Sequence, residues 1–245
     1  MHVPNGFLDV TTSVATAAGA AVVVGVALRG ARRELDDKAA PLAGLVATFV
    51  FAAQMLNFPV GAGTSGHLLG GTLAAVLVGP WTGILCLSVV LLVQSLLFAD
   101  GGITALGTNI TLMGIIGVGA GWLVFRGLQL VLPKRVALVA PLAAVAAFCS
   151  VLCAALGFVG LYAVGGTAPI PLDSLMTAML SWHALIGLGE AVITGLVVGS
   201  IVAVRPDLVH GARTVMRTPQ LEVRPPAVAH AVGTATPTAP TGTAA

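Results

Sequence analysis

The chain of 245 residues is 57% hydrophobic and only 8% charged, and its formal net charge is +2 at pH 7. A soluble domain carries about 25% charged residues, so this composition excludes an ordinary soluble protein and predicts an integral membrane protein. The mean hydropathy of +1.03 agrees. The three cysteines lie inside apolar stretches without paired spacing, which argues against a zinc knuckle or a disulfide framework.

The chain begins with a turn and a first membrane helix. Pro4, Asn5 and Gly6 are typical turn residues, and an apolar run predicts a helix over about 12–28. No basic segment precedes this run, so we expect an uncleaved insertion signal and no cleaved signal peptide. The dense charges of residues 29–38 predict a cytoplasmic loop.

The remaining apolar runs complete an all-α membrane protein of about seven transmembrane helices. The third run, at 67–78, is too short to span upright, so we expect it to be broken, re-entrant or deeply buried. A glycine-rich loop over 57–66 precedes it. The other predicted spans lie near 40–56, 82–98, 104–125, 136–164 and 175–204. Residues 1–204 thus form the membrane domain, and 205–245 are predicted to be a polar, disordered cytoplasmic tail.

The positive charges predict the orientation of the chain. All eleven Lys and Arg residues fall in the loops 29–38 and 126–135, at Arg205, or in the tail at 213–224. Seven spans place these four regions on one face, which the positive-inside rule identifies as cytoplasmic. The N-terminus and the loop before His67 then share the extracytoplasmic face, and the C-terminus is cytoplasmic.

The first two residues carry a pattern that can chelate a metal. The Met1 amine, the Met1–His2 amide nitrogen and the near ring nitrogen of His2 can close on one ion in a plane, the geometry preferred by Ni(II) or Cu(II). His67 is the candidate for the fourth position. An ordinary amine titrates near pH ~8, so binding is expected to weaken in acid. The alternative interpretation is a solvated terminal histidine.

Polar residues inside predicted spans are further candidates, because they are costly in a membrane. His183 and Glu190 are seven residues apart on nearly the same helix face, so they can form a pair, a hydrogen-bond partner of a metal ligand, or a step on an ion path. A structural pair linking helices is the alternative. Gln94 and Asn109 can accept the second ring N–H of a metal-bound histidine, or link helices. Asp100 is interpreted as a turn cap.

The sequence resembles the CbiM/NikM family over about residues 1–204. The resemblance rests on four stretches: Met1 to Leu8, Gly63 to Gly71 with Gly79-Pro80-Trp81, Asp100 to Asn109, and His183 to Ala191. These proteins are the substrate-capturing S components of energy-coupling factor (ECF) transporters for cobalt and nickel. The resemblance implies Met1, His2 and His67 as metal ligands. The family motif often has Asp where this chain has Asn5.

The resemblance also implies partners: a transmembrane coupling (T) subunit, a pair of ABC ATPase subunits, and in some systems a separate accessory membrane subunit. The sequence contains no Gly-x-x-x-x-Gly-Lys-Ser/Thr loop, so ATP hydrolysis is expected in a partner. We therefore expect a cell-membrane transporter subunit, not an enzyme. It would carry Co(II) or Ni(II) as cargo, hold no permanent cofactor and bind no nucleic acid.

Two other functions stay open at this stage. An intramembrane metalloenzyme would use His67, His183 and Glu190 together, and a passive metal channel would need no tight site. The ligand types do not decide between cobalt and nickel, because affinity rises from Co(II) to Ni(II) at any nitrogen site.

Overall fold

The computed structural model describes residues 1–35, 39–61 and 64–216. Three predicted features lie outside these residues: the charged positions Asp36 to Lys38, the middle of the glycine-rich loop at Ala62 and Gly63, and the tail beyond Met216. The helices are α1 Val10–Glu34, α2 Ala39–Gln54, α3 Gly71–Val78, α4 Pro80–Leu97, α5 Leu106–Val131, α6 Val139–Gly165 and α7 Leu172–Val204.

The helical membrane class predicted from the sequence is confirmed. Within the described residues, five helices are long and apolar enough to cross a membrane, namely α1, α4, α5, α6 and α7. The chain is therefore a multi-pass membrane protein. Helix α2 is shorter, with 16 residues, so the number of crossings and the side on which each terminus lies stay predictions.

Helix α1 continues beyond its predicted end near residue 28 and stops at Glu34. Arg32 and Arg33 lie in its last turn, where positive charge complements the helix dipole. The Glu34 carboxylate is buried and accepts hydrogen bonds from the main-chain N–H groups of Trp81, at 3.2 Å, and Thr82, at 2.8 Å. It thereby caps the start of α4, which explains why the charged segment begins as helix.

Helix α3 confirms the deeply buried alternative for the third apolar run. All eight of its residues are buried, so it lies inside the protein between longer helices. Gly70 precedes it with a φ of 76°, a left-handed conformation that favours glycine. A Cβ at this position would lie 2.7 Å from the Val50 side chain.

The predicted loop over 57–66 contains a two-stranded antiparallel hairpin. Its strands are β1 Phe58–Gly61 and β2 Thr64–Gly66. The hairpin connects α2 to the extended residues 67–70 that precede α3.

Helix α5 contains a π-helical segment, Ile110–Gly117. Such wide turns are rare and frequently lie at functional sites. Gly117 O accepts a hydrogen bond of 2.6 Å from Ser150 Oγ on α6, which satisfies a carbonyl at the end of the segment. Asn109 lies immediately before it.

The polar C-terminal region starts as ordered structure. Two 3-10 turns, Pro206–Leu208 and His210–Ala212, follow α7. Val209 and Ala212 are fully buried, and Gln129 Nε2 on α5 donates a hydrogen bond of 2.9 Å to Gly211 O. Ordered structure therefore continues beyond residue 205, where the sequence predicted the disordered tail to begin, because apolar residues of this region pack against the helices.

Candidate metal centre

The N-terminal segment 1–9 runs into the body of the protein. Met1 is 0% exposed and His2 only 5%. The side-chain amide of Asn109 bonds both main-chain groups of Val3. Its Oδ1 accepts the Val3 N–H at 2.7 Å, and its Nδ2 donates to Val3 O at 3.2 Å. Asn109 therefore fixes the backbone next to His2. It does not bond the imidazole, which was one of the two roles considered for Asn109.

Further contacts fix the rest of this segment. Asn5 Oδ1 accepts hydrogen bonds from the N–H and the hydroxyl of Thr104, at 3.0 and 2.8 Å. Asp9 accepts the Thr12 N–H at 2.6 Å and so caps α1. The Asp9 N–H donates to Gly165 O, at 2.7 Å, at the end of α6. Both ends of the segment are thus attached to helices.

The rings of His2 and His67 stack, with centroids 4.4 Å apart and an interplanar angle of 27°. His2 Nε2 lies 3.2 Å from Gln94 Oε1, a contact that corresponds to one of the two roles considered for Gln94. His67 is 0% exposed, and its Nδ1 lies 2.8 Å from Leu68 O. An Nδ1–H that donates to this carbonyl leaves the lone pair of His67 on Nε2.

Two ring nitrogens in this stack are buried and make no well-formed hydrogen bond among the described residues. They are His67 Nε2 and His2 Nδ1, and the latter has the Asp100 carboxylate 3.1 Å away. Buried polar atoms without partners are rare and call for an explanation such as an ion or a water. His2 Nδ1 is the near ring nitrogen that the predicted chelate requires.

Asp100 is a neighbour of His2 that the sequence analysis missed. Its Oδ1 lies 3.1 Å from His2 Nδ1, and its Oδ2 accepts a hydrogen bond of 3.0 Å from Asn57 Nδ2. Burial acts to raise the pKa of this carboxyl, but the contacts with His2 and Asn57 keep it below its ordinary value. A negative charge therefore lies beside the imidazole at neutral pH.

Burial also determines the protonation of two candidate donors. It lowers the pKa of the Met1 amine from 8.0 to about 4, against the opposing charge of Asp100. Burial lowers the pKa of His67 well below its usual value, with smaller contributions from the Met1 amine, His2 and His183. Both groups are therefore neutral at pH 7 and offer lone pairs, so the expected amine titration near pH 8 does not apply to the folded protein.

His183 and Glu190 have different hydrogen-bond partners and are not bonded to each other, so a pair, one of the alternatives considered for them, is not observed. His183 Nδ1 lies 2.8 Å from Met179 O, and its buried Nε2 has no hydrogen-bond partner among the described residues. The Glu190 carboxylate accepts the N–H groups of Leu69, at 2.6 Å, and Gly70, at 2.9 Å. Glu190 thus contacts the main chain that follows His67.

Comparison with known proteins identifies the family. The family model described as "Cobalt uptake substrate-specific transmembrane region" matches residues 2–208. The chain belongs to the CbiM family. It is 40% identical over 209 residues to a protein of Haloquadratum walsbyi named as a metal transport protein, an alignment that covers 85% of this chain and 93% of that protein.

Two further relatives agree. The fused nickel transport protein NikMN of Rhodobacter capsulatus is 35% identical over 221 residues, which cover 85% of this chain and 63% of that protein. The crystal structure of a truncated transition metal transporter superposes with a TM-score of 0.72 at 34% identity, over 83% of this chain and 99% of that one. The relatives of this CbiM-family protein are thus named for metal transport, in one case of nickel and in another of a transition metal.

The side chains of this CbiM-family protein do not form a metal site by themselves. Among residues 1–35, 39–61 and 64–216, no three or more His, Cys, Asp or Glu side chains are arranged to hold an ion. A metalloenzyme site of His67, His183 and Glu190 therefore has no support in the geometry.

Proposed function

We propose that this CbiM-family protein captures Co(II) or Ni(II) from the extracytoplasmic side as the S component of an ECF-type ABC transporter. The ion is bound by the Met1 amine, the Met1–His2 amide nitrogen, which releases its proton on binding, His2 Nδ1 and His67 Nε2. One observation supports this set above all. Among the described residues, His67 Nε2 is buried without a hydrogen-bond partner and His2 Nδ1 has only the Asp100 carboxylate beside it, at 3.1 Å, on rings that stack 4.4 Å apart.

The donors suit a divalent transition metal. The Met1 amine and His67 are neutral at pH 7 because burial lowers the pKa of each. Gln94 Oε1 accepts the remaining ring N–H of His2, and Leu68 O accepts that of His67. Such outer hydrogen bonds fix the tautomer and orientation of a ligating ring. A planar set of four nitrogens favours Ni(II), whereas a fifth donor would suit Co(II).

Release to the cytoplasm needs partners. We propose that a T subunit and a pair of ABC ATPases reorient the protein, with a separate accessory membrane subunit in some assemblies. This chain has no phosphate-binding loop of its own. In this scheme Met1, His2 and His67 bind the metal, and ATP hydrolysis elsewhere drives the movement that opens the site inward.

Metal titration of the purified protein tests the proposal. Ni(II), Co(II) and Zn(II) are added in parallel to protein that begins with an unmodified Met1. We expect tight one-to-one binding that His2→Ala or His67→Ala abolishes. His210→Ala is the matched control, because His210 lies in a 3-10 turn after α7. Equal, weak binding by all four proteins would refute the site, and conduction of metal by the chain alone would favour a passive channel.

A further inference from the structure

A buried carboxylate links α7 to the loop that carries His67. Glu190 is 2% exposed, and charged side chains are almost never so buried unless they are paired. Both of its oxygens are used. Oε2 accepts the Leu69 N–H at 2.6 Å, and Oε1 accepts the Gly70 N–H at 2.9 Å.

These two N–H groups lie at the start of α3 and belong to the N-cap residue Gly70 and to Leu69 just before it. Gly70 has no side chain that could cap the helix. Glu190 reaches this end of α3 from another helix, and its negative charge complements the positive end of the α3 dipole. The position of the carboxylate therefore determines where α3 and the residues before it lie.

A second helix fixes the same stretch. Gln54 Nε2, in the last turn of α2, donates a hydrogen bond of 2.7 Å to Leu69 O. Both main-chain polar groups of Leu69 are thus bonded by distant side chains. His67 lies two residues earlier, with its Nδ1 fixed on Leu68 O. The main chain of 68–70 consequently sets the direction of His67 Nε2.

We propose that Glu190 is a positioning residue for the metal site: by bonding the Leu69 and Gly70 amides it aims His67 Nε2 at the fourth coordination position. Glu190 touches no donor atom in this scheme, and it is neither a metal ligand nor a step on an ion path. The inference rests on the proposed function, because it requires His67 to bind metal.

The chain provides a matched control for a test. Glu34 also caps a neighbouring helix, since its buried carboxylate accepts the Trp81 and Thr82 N–H groups at the start of α4. Gln94, the partner of His2, lies in the last turn of the same helix. At 1.5 Å per residue, Thr82 and Gln94 are about 18 Å apart along this helix. A substitution of Glu34 therefore measures the effect of losing a helix cap at a position that does not contact the metal site.

The experiment compares wild type, Glu190→Gln and Glu34→Gln, each beginning with Met1. Glutamine keeps one acceptor, but its NH₂ group then faces a main-chain N–H, so one hydrogen bond is lost. We measure Ni(II) affinity, thermal stability and the visible absorption of bound Ni(II). Removal of groups that orient metal ligands typically costs 10–100-fold in affinity. We expect a loss of about tenfold or more in Glu190→Gln, with an absorption band moved to longer wavelength as an oxygen donor replaces His67.

Glu34→Gln is expected to lose thermal stability and to keep both the wild-type affinity and the wild-type band. If Glu190→Gln folds and keeps them as well, the positioning role is refuted. If Glu190→Gln does not fold, Glu190→Asp is tested by Ni(II) affinity and by the absorption band. Aspartate keeps the negative charge, but its side chain is shorter by one methylene and holds the carboxylate further from the Leu69 and Gly70 amides. A wild-type protein without a planar four-nitrogen spectrum would instead refute the proposed function, so the two failures are distinguishable.

Discussion

Adding two residues, such as Gly-Ser, before Met1 should abolish tight metal binding. The Met1 amine is enclosed at 0% exposure, so a longer chain has to leave the site. That movement breaks the two hydrogen bonds between Val3 and Asn109, at about 1 kcal/mol each, and exposes the Met1 side chain, at about 2 kcal/mol. The total of about 4 kcal/mol corresponds to a factor of about 10³ in affinity. The lost amine donor adds to it.

Isothermal titration with Ni(II) measures this change directly. The control carries the same two residues after Ala245, and it should bind like wild type. Proteolytic removal of the N-terminal addition, which regenerates the free amine, should restore binding. An extended protein that binds Ni(II) within tenfold of wild type would show that the amine is not a ligand, and the reasoning from its burial would fail.

Three further changes test the surroundings of the site. The Met1 amine has a pKa of 8.0 in the unfolded chain and of about 4 in the folded protein. The free energy of unfolding of the metal-free protein should therefore fall by about 1.4 kcal/mol per pH unit from pH 8 toward pH 4. A Tm in detergent that stays flat from pH 8 to 6 would contradict this. Asn109→Leu should weaken Ni(II) binding about tenfold by freeing Val3, whereas unchanged titration curves would show that the Asn109–Val3 hydrogen bonds do not support the site. Gly70→Ala should cost about 2 kcal/mol in thermal unfolding, since its φ of 76° disfavours a side chain; wild-type stability would contradict that.

The helices and the approach of the N-terminus to His67 were predictable from the sequence. Apolar runs bounded by Gly, Pro or charge place helix starts to within a few residues, and α4 and α7 agree closely with their predicted ranges. Helices α1 and α5 each continue about six residues beyond their predicted ends. The distribution of Lys and Arg predicted that Met1 and His67 share a face. The stacking of His2 on His67 fits that prediction.

The hydrogen-bond partners of polar side chains were harder to predict. Sequence periodicity shows which residues share a face of a helix, but it does not show which segment of the chain packs against that face. His183 and Glu190 share a helix face, yet their hydrogen bonds go to Met179 O and to the Leu69 and Gly70 amides. Asp100 could have been found, since its turn lies on the predicted external face with Met1. The π-helical segment of α5 leaves no composition signal, because it depends on packing against α6.

The burial of the N-terminal segment has a consequence for exchange kinetics. Residues 1–9 supply three of the four proposed donors and also cover them, with both ends attached by main-chain and side-chain hydrogen bonds. Dissociation of the ion therefore requires this segment to leave its place. The residence time of bound metal should follow the opening rate of the segment, and a strong chelator in solution should extract the ion at a rate that is independent of chelator concentration.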